Sequence, residues 1–235
     1  MVLTLVKMIV LLPVSALMSI AAIVAALVDR SRRQFNKVGR AWSRLLLWSF
    51  RVDVRVTGLE HLKKSNRYVY VSNHASLFDI PAVLSSVPDE IRIIFKRELA
   101  YIPLWGWCLV LGGYITVDRS NPKDGMSSIE KAVDAIRDGS SVLVFAEGTR
   151  SRDGKLQPFK RGAFALAARS GVPIVPITVN NSFKIMPKGS WRIQPAEISV
   201  VIDKPIESAG VVGKDDEMRL MEQVHAVLEK NFVEQ

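Results

Sequence analysis

Apolar and polar positions follow one pattern up to about residue 51 and another beyond it. From Met8 to Val28 there are 21 consecutive residues without a charge, enough at about 1.5 Å per residue to cross roughly 30 Å of hydrocarbon. Pro13, Ser15, Ser19 and five alanines make this stretch only moderately greasy. Over 35–51 a helical interval puts Lys37, Arg40, Arg44 and Arg51 on one side, with Phe35, Val38, Trp42, Leu45, Leu46 and Phe50 at other positions. That pattern predicts a helix lying in a membrane interface, with Trp42 and Trp48 at headgroup level. The alternative is a helix packed on the following domain with its basic side merely solvated.

Beyond residue 51 short β-branched runs alternate with helical patterns. Strands are predicted at 52–56, 68–72, 91–95, 114–117, 142–146, 174–179 and 198–202, and helices at 77–86, 101–111, 126–138, 161–170 and 215–232. The alternation predicts an α/β fold, a mixed and largely parallel central sheet flanked by helices, preceded by an N-terminal two-helix membrane-binding motif. The linker-like stretches 120–125 and 207–214 are too short to separate domains. The expected division is residues 1–51 as membrane-associating helices and 52–235 as one catalytic domain.

Composition narrows the class. Of 235 residues 49% are hydrophobic, which excludes a disordered chain. The net charge of +9 suggests nucleic acid until it is located: residues 29–67 hold eleven basic residues against Asp29, Asp53 and Glu60, whereas 68–235 hold 20 of each sign. A neutral body with no basic-aromatic platform argues against a nucleic-acid partner. The local charge instead reads as attraction to an anionic membrane surface, about 1 kcal/mol per Lys or Arg at best. Arg30, Arg32 and Arg33, directly after the apolar stretch, disfavour a cleaved signal peptide and place the C-terminal side at the cytoplasmic face of the inner membrane. Cys108 is the single cysteine and there are three histidines, so neither an internal disulfide nor a metal cluster of ordinary spacing is expected.

Chemistry collects at strand ends. The strand 68–72 runs into Asn73 and His74, with Asp79 five residues on. Five steps of about 100° do not share a helical face, so the two side chains meet only if His74 precedes a helix and Asp79 sits in its first turns. There the carboxylate would hold the imidazole, leaving the other nitrogen to take a proton from a hydroxyl. The strand 142–146 runs into Glu147, Gly148, Thr149 and Arg150, a turn whose N–H groups and guanidinium suit an oxyanion. Asp118 and Arg119, and Lys96 and Arg97, close two more strands. Cations beside a base suggest a phosphate-bearing substrate whose hydroxyl is deprotonated.

In their order these motifs resemble the glycerolipid acyltransferase family, and within it the bacterial 1-acylglycerol-3-phosphate (lysophosphatidate) acyltransferases. Asn73, His74 and Asp79 match the N-H-x-x-x-x-D motif, and Phe145 with Glu147 to Ser151 match F-x-E-G-T-R-S. Gly113 to Ile115 with Val117 to Arg119, preceded by Lys96, Glu98 and Leu99, resemble the second motif; Val172 to Pro176, preceded by Phe159, Lys160 and Gly162, resemble the fourth. The resemblance implies transfer of an acyl group from acyl carrier protein or coenzyme A thioester to the 2-hydroxyl of lysophosphatidate, giving phosphatidate for phospholipid synthesis, with no cofactor and no metal. It implies His74 and Asp79 as catalytic, and Arg119, Lys96, Gly148, Thr149 and Arg150 at the acceptor phosphate. Asn73, Glu147 and Pro176 are substrate-binding or structural, with Glu147 either orienting Arg150 or meeting a glycerol hydroxyl. No G-x-S-x-G occurs and Cys108 lies in no matching motif, so no acyl-enzyme is required. Acylation of glycerol-3-phosphate or another lysolipid stays open, as does a non-catalytic lipid-binding module that would not need the His–Asp pair.

Overall fold

The computed structural model describes residues 2–63, 66–118 and 122–234. Two long helices come first, α1 (Val2–Val28) and α2 (Arg33–Ser49). Then follow β1 (Asp53–Thr57), β2 (Val69–Ser72), α3 (Asp79–Ser86), β3 (Ile91–Lys96), α4 (Trp105–Leu111), β4 (Ile115–Val117), α5 (Pro122–Arg137) and β5 (Ser141–Phe145). The chain closes with α6 (Gly162–Ser170), β6 (Ile174–Asn180), the short α7 (Ser182–Ile185), β7 (Glu197–Ile202) and α8 (Gly213–Asn231). The seven strands form one sheet in the order β1-β7-β6-β2-β5-β3-β4, parallel throughout except where β6 meets β7. This is the mixed, largely parallel α/β architecture the alternation predicts.

The period-2 alternation of the strands makes two cores. Tyr70, Ile93, Leu143, Ile177 and Val200 face α2 and α3, where Leu47, Phe50, Phe78 and Val83 meet them. Val69, Val71, Val142 and Ile174 face the other way, onto Val133 of α5, Phe164 and Leu166 of α6, and Val224 and Leu228 of α8. Because β2, β3, β4, β5 and β6 run parallel, the loops that leave their C-terminal ends share one edge of the sheet, the edge at which α/β folds gather ligand-binding residues.

Pro176 sits inside β6, between two strands, where a missing N–H ordinarily breaks a ladder. Its carbonyl accepts from Asp203 N at 3.0 Å, so the side of the residue without a donor faces the place where β7 has just ended. The predicted linker 120–125 ends early, because α5 already begins at Pro122, a residue well suited to the first helical position.

The N-terminal hairpin joins both readings of its sequence. Phe35, Leu47 and Phe50 are buried, α2 packs on α3, and Arg40 donates to the carbonyls of Pro88 and Asp89, so this part of the predicted basic face is docked on the body. Lys37, Arg44, Trp48 and Arg51 remain outside, one stripe along the helix and the turn that ends it. The helix α1 buries the small residues Ser19, Ala22 and Ala26 and leaves Ile9, Leu12, Leu17, Ile20, Val24 and Leu27 exposed. It is long and apolar enough over Lys7–Val28 to cross a membrane, yet it lies along α2 and α4.

Candidate active site

The sequence around His74 folds into a loop pinned from four directions. Asn73 holds it to the end of β6: its Nδ2 donates to Val179 O at 2.9 Å and its Oδ1 accepts from Val179 N at 2.8 Å. Both halves of the Asn73 amide are thus used on backbone, which extends the sheet pairing past Ser72. His74 N donates to Glu147 Oε1 at 2.8 Å, and His74 O accepts from Ser151 N at 2.7 Å. The imidazole stacks on Phe145, with ring centroids 4.1 Å apart.

His74 precedes α3 and Asp79 is the first residue of that helix, the one arrangement in which this spacing lets the side chains meet. His74 Nδ1 lies 2.7 Å from Asp79 Oδ2. The same oxygen accepts from Ala75 N at 2.8 Å and Ser76 N at 2.9 Å. An oxygen that already accepts from two backbone N–H groups acts as an acceptor toward Nδ1 as well, which leaves Nε2 as the ring nitrogen not bonded to Asp79. Asp79 is fully buried whereas the His74 side chain keeps 11% of its surface exposed, which gives the pair one open face.

Glu147 is used on the backbone of the His74 loop. It is buried, and its Oε1 serves the backbone of His74. Burial pushes its carboxyl up to about 8, against the lowering effect of the His74 N–H. Gly148 follows with φ +72°, where a side chain would be strained, and an added Cβ would stand 2.9 Å from Lys160 Cδ. Thr149 Oγ1 and Arg150 O both accept from Lys188 Nζ, at 2.9 and 3.1 Å.

The family model described as Acyltransferase matches residues 53–180. The chain belongs to the acyltransferase family. The 1-acyl-sn-glycerol-3-phosphate acyltransferase of Pseudomonas aeruginosa is 35% identical over 184 residues, covering 76% of this chain and 70% of that protein. A chloroplastic enzyme of the same name from Brassica napus is 40% identical, covering 77% of this chain and 53% of its own length. The chain therefore spans about half the length of that relative. The crystal structure of the 1-acyl-sn-glycerophosphate acyltransferase from Thermotoga maritima superposes with a TM-score of 0.82 at 25% identity, covering 98% of this chain and 94% of that one.

The other residues named from sequence separate by position. Lys96 ends β3 and pairs with Glu98 Oε1 at 2.7 Å on the exposed surface, while Arg97 is engaged by Asp118 and Asp124. Arg119 lies outside the described residues. Pro176 is opposite Val71 in the sheet interior and is not brought to the His74 loop. Two cavities are found among the described residues. One, about 110 Å³ and strongly apolar, is lined by Ala22, Phe35, Ile80, Phe95 and Cys108. The other, about 260 Å³, lies at the strand ends beside Asp118, Ser128, Phe145, Gly148 and Lys160. Lys188 had no signal in the sequence: it stands in a loop without a motif, 38 residues from its partner Arg150.

Proposed function

We propose that this protein transfers a fatty acyl group from a thioester to the 2-hydroxyl of lysophosphatidate, giving phosphatidate. The observation that carries the reading is the His74–Asp79 pair, 2.7 Å apart with one open face. His74 Nε2 takes the hydroxyl proton as the oxygen attacks the thioester carbonyl, and Asp79 stabilises the imidazolium so formed. When the tetrahedral intermediate collapses, the carbon–sulfur bond breaks and His74 returns the proton to the thiolate. Among the described residues no Ser, Thr or Cys side chain hydrogen-bonds the His74 ring. Cys108 is spent on Trp105 O at 3.0 Å, and burial pushes its thiol up. Direct transfer without an acyl-enzyme suits this arrangement.

Arg150, Thr149 and Gly148, with Lys96 and Arg119, hold the acceptor phosphate, and Glu147 holds His74 in place. The apolar cavity lies beside Ile80, the neighbour of Asp79, and its chemistry suits an acyl chain. The donor is acyl carrier protein or coenzyme A thioester. Residues 1–51 act as the membrane-associating part and 52–235 as the catalytic domain. The outer stripe of α1 and the basic stripe of α2 set the active site against an anionic leaflet, and Arg30, Arg32 and Arg33 favour its cytoplasmic face. The test is a panel of acceptors against labelled acyl-carrier-protein and coenzyme A thioesters, with the purified protein in detergent. Labelled phosphatidate from lysophosphatidate supports the reading. Transfer only to glycerol-3-phosphate or to a lysolipid without a phosphate monoester would overturn it.

A further inference from the structure

Apart from 8–28, the longest run of the chain without a charge is 99–117, 19 residues between Glu98 and Asp118. Only part of it is buried. A short 3-10 helix (Arg97–Tyr101) leads towards α4, and Gly106 lets the two close on each other, because a Cβ there would collide with Leu99 O. At this joint Tyr101 is 73% exposed, with Ile102 and Pro103 exposed beside it. On α4 the exposed residues are Trp107, Val110 and Leu111, whose spacing of three and four puts them on one side of the helix. The segment thus turns two aromatic rings and several aliphatic side chains outward with no charge among them. Such a face on a monomer marks a contact with another apolar surface.

The other side of the segment says what covers it. Leu99, Trp105 and Cys108 line the apolar cavity whose lining also takes Met18, Ser19 and Ala22 of α1, and Cys108 packs with Ala22 and Ala26. The helices α1 and α4 therefore lie side by side, small residues of α1 against α4, while Ile20, Val24 and Leu27 of α1 point away. We propose that 99–111 enters the same leaflet as α1, a second membrane contact outside the N-terminal hairpin. The proposal rests on the reading of the outer stripe of α1 as the face towards a leaflet. Tyr101 and Trp107 carry the ring types favoured at headgroup level, and Val110 and Leu111 reach the acyl boundary beside them. Leu99 both lines the cavity and is 37% exposed, so the cavity wall reaches the surface inside this patch, where a leaflet keeps water from it.

The test uses the purified full chain carrying Cys108→Ser, which removes the single native thiol. A fluorophore is then attached through Val110→Cys or Tyr101→Cys in the patch, through Ile20→Cys on α1, or through Val212→Cys, an exposed site just before α8, as the reference. The two patch sites back each other up should one variant fail to fold. Vesicles of equal parts phosphatidylglycerol and phosphatidylcholine, the latter brominated on its acyl chains, quench a probe that enters hydrocarbon. A patch label about 5–10 Å into the headgroup and acyl boundary should lose roughly half of its emission or more, and the Val212→Cys label less than about a tenth. Patch labels quenched no more than that reference would overturn the proposal. A dimer of the parent that Trp107→Gln dissolves would overturn it too, because a second copy would then cover the patch. The readings fail separately. If the Ile20→Cys label is quenched and the patch labels are not, only the second contact falls; if none is quenched, the leaflet placement of α1 falls with it. Quenched patch labels on a protein that forms no phosphatidate support the contact and remove the proposed activity.

Discussion

Replacing Asp79 by Asn removes a charge while leaving a shape. The amide oxygen can still accept from Ala75 N and Ser76 N, which Asp79 Oδ2 holds at 2.8 and 2.9 Å, so the start of α3 keeps its closure. What disappears is the negative charge facing the imidazole, 2.7 Å from Nδ1. Once His74 has taken the hydroxyl proton, two unit charges about 4 Å apart attract by about 4 kcal/mol at an effective dielectric constant of about 20. That figure is an upper bound, because the open face of His74 admits some screening. At about 1.4 kcal/mol per tenfold, kcat should fall roughly 10²- to 10³-fold. Both KM values should change little, since the charge matters only after the proton moves. The assay is steady-state transfer of labelled acyl groups with both substrates saturating, beside a thermal melt by circular dichroism. A folded Asp79→Asn variant whose kcat stays within about fivefold of the parent would refute this reasoning.

Three further outcomes follow from the same geometry. Glu147, with its carboxyl raised from 4.5 to about 8, binds a proton in the folded state that the unfolded chain releases near 4.5. Its stabilising contribution is therefore complete below about 4.5 and is lost as pH rises to about 8, on the order of 4 kcal/mol in all. Denaturant midpoints measured across that window should fall for the parent and stay nearly flat for Glu147→Gln; parallel curves would contradict the role given to burial. Arg150→Ala should raise acceptor KM by roughly tenfold or more and leave donor KM within about twofold, measured by varying each substrate in turn. Equal effects on both would count against a phosphate role. Changing Lys37, Arg44 and Arg51 together to Gln should weaken sedimentation with anionic vesicles by about 10- to 100-fold at low salt, while binding to neutral vesicles holds. Unchanged sedimentation with anionic vesicles would show that the exposed stripe of α2 does not face the leaflet.

How much of this was legible in sequence depended on how local the cause was. The strands were written in short β-branched runs between helical patterns, and the His74–Asp79 encounter in a spacing that has one solution. The double character of α2 was not, because its basic residues look alike until Arg40 finds the carbonyls at the end of α3 while Lys37 and Arg44 find solvent. The bond that Glu147 makes has a related cause. A carboxylate beside Gly, Thr and Arg suggests a partner within its own turn, and only the pairing of β2 with β5 brings the His74 N–H to it instead. The contacts of Lys188 with Thr149 and Arg150 depend wholly on tertiary placement, so composition and periodicity carry no trace of them. Pro176, read from sequence as substrate-binding or structural, stands inside β6, and its place beyond the last β7 residue explains why the sheet tolerates it.

The central claim is that His74 itself takes the proton from the acceptor hydroxyl. The most direct measurement is the rate of labelled phosphatidate formation by purified His74→Ala, compared with the parent at matched folding. A loss of at least 10²-fold and up to about 10⁴-fold is expected, the usual share of a general base, with the thermal midpoint largely retained. Transfer by folded His74→Ala at a rate near that of the parent would contradict it.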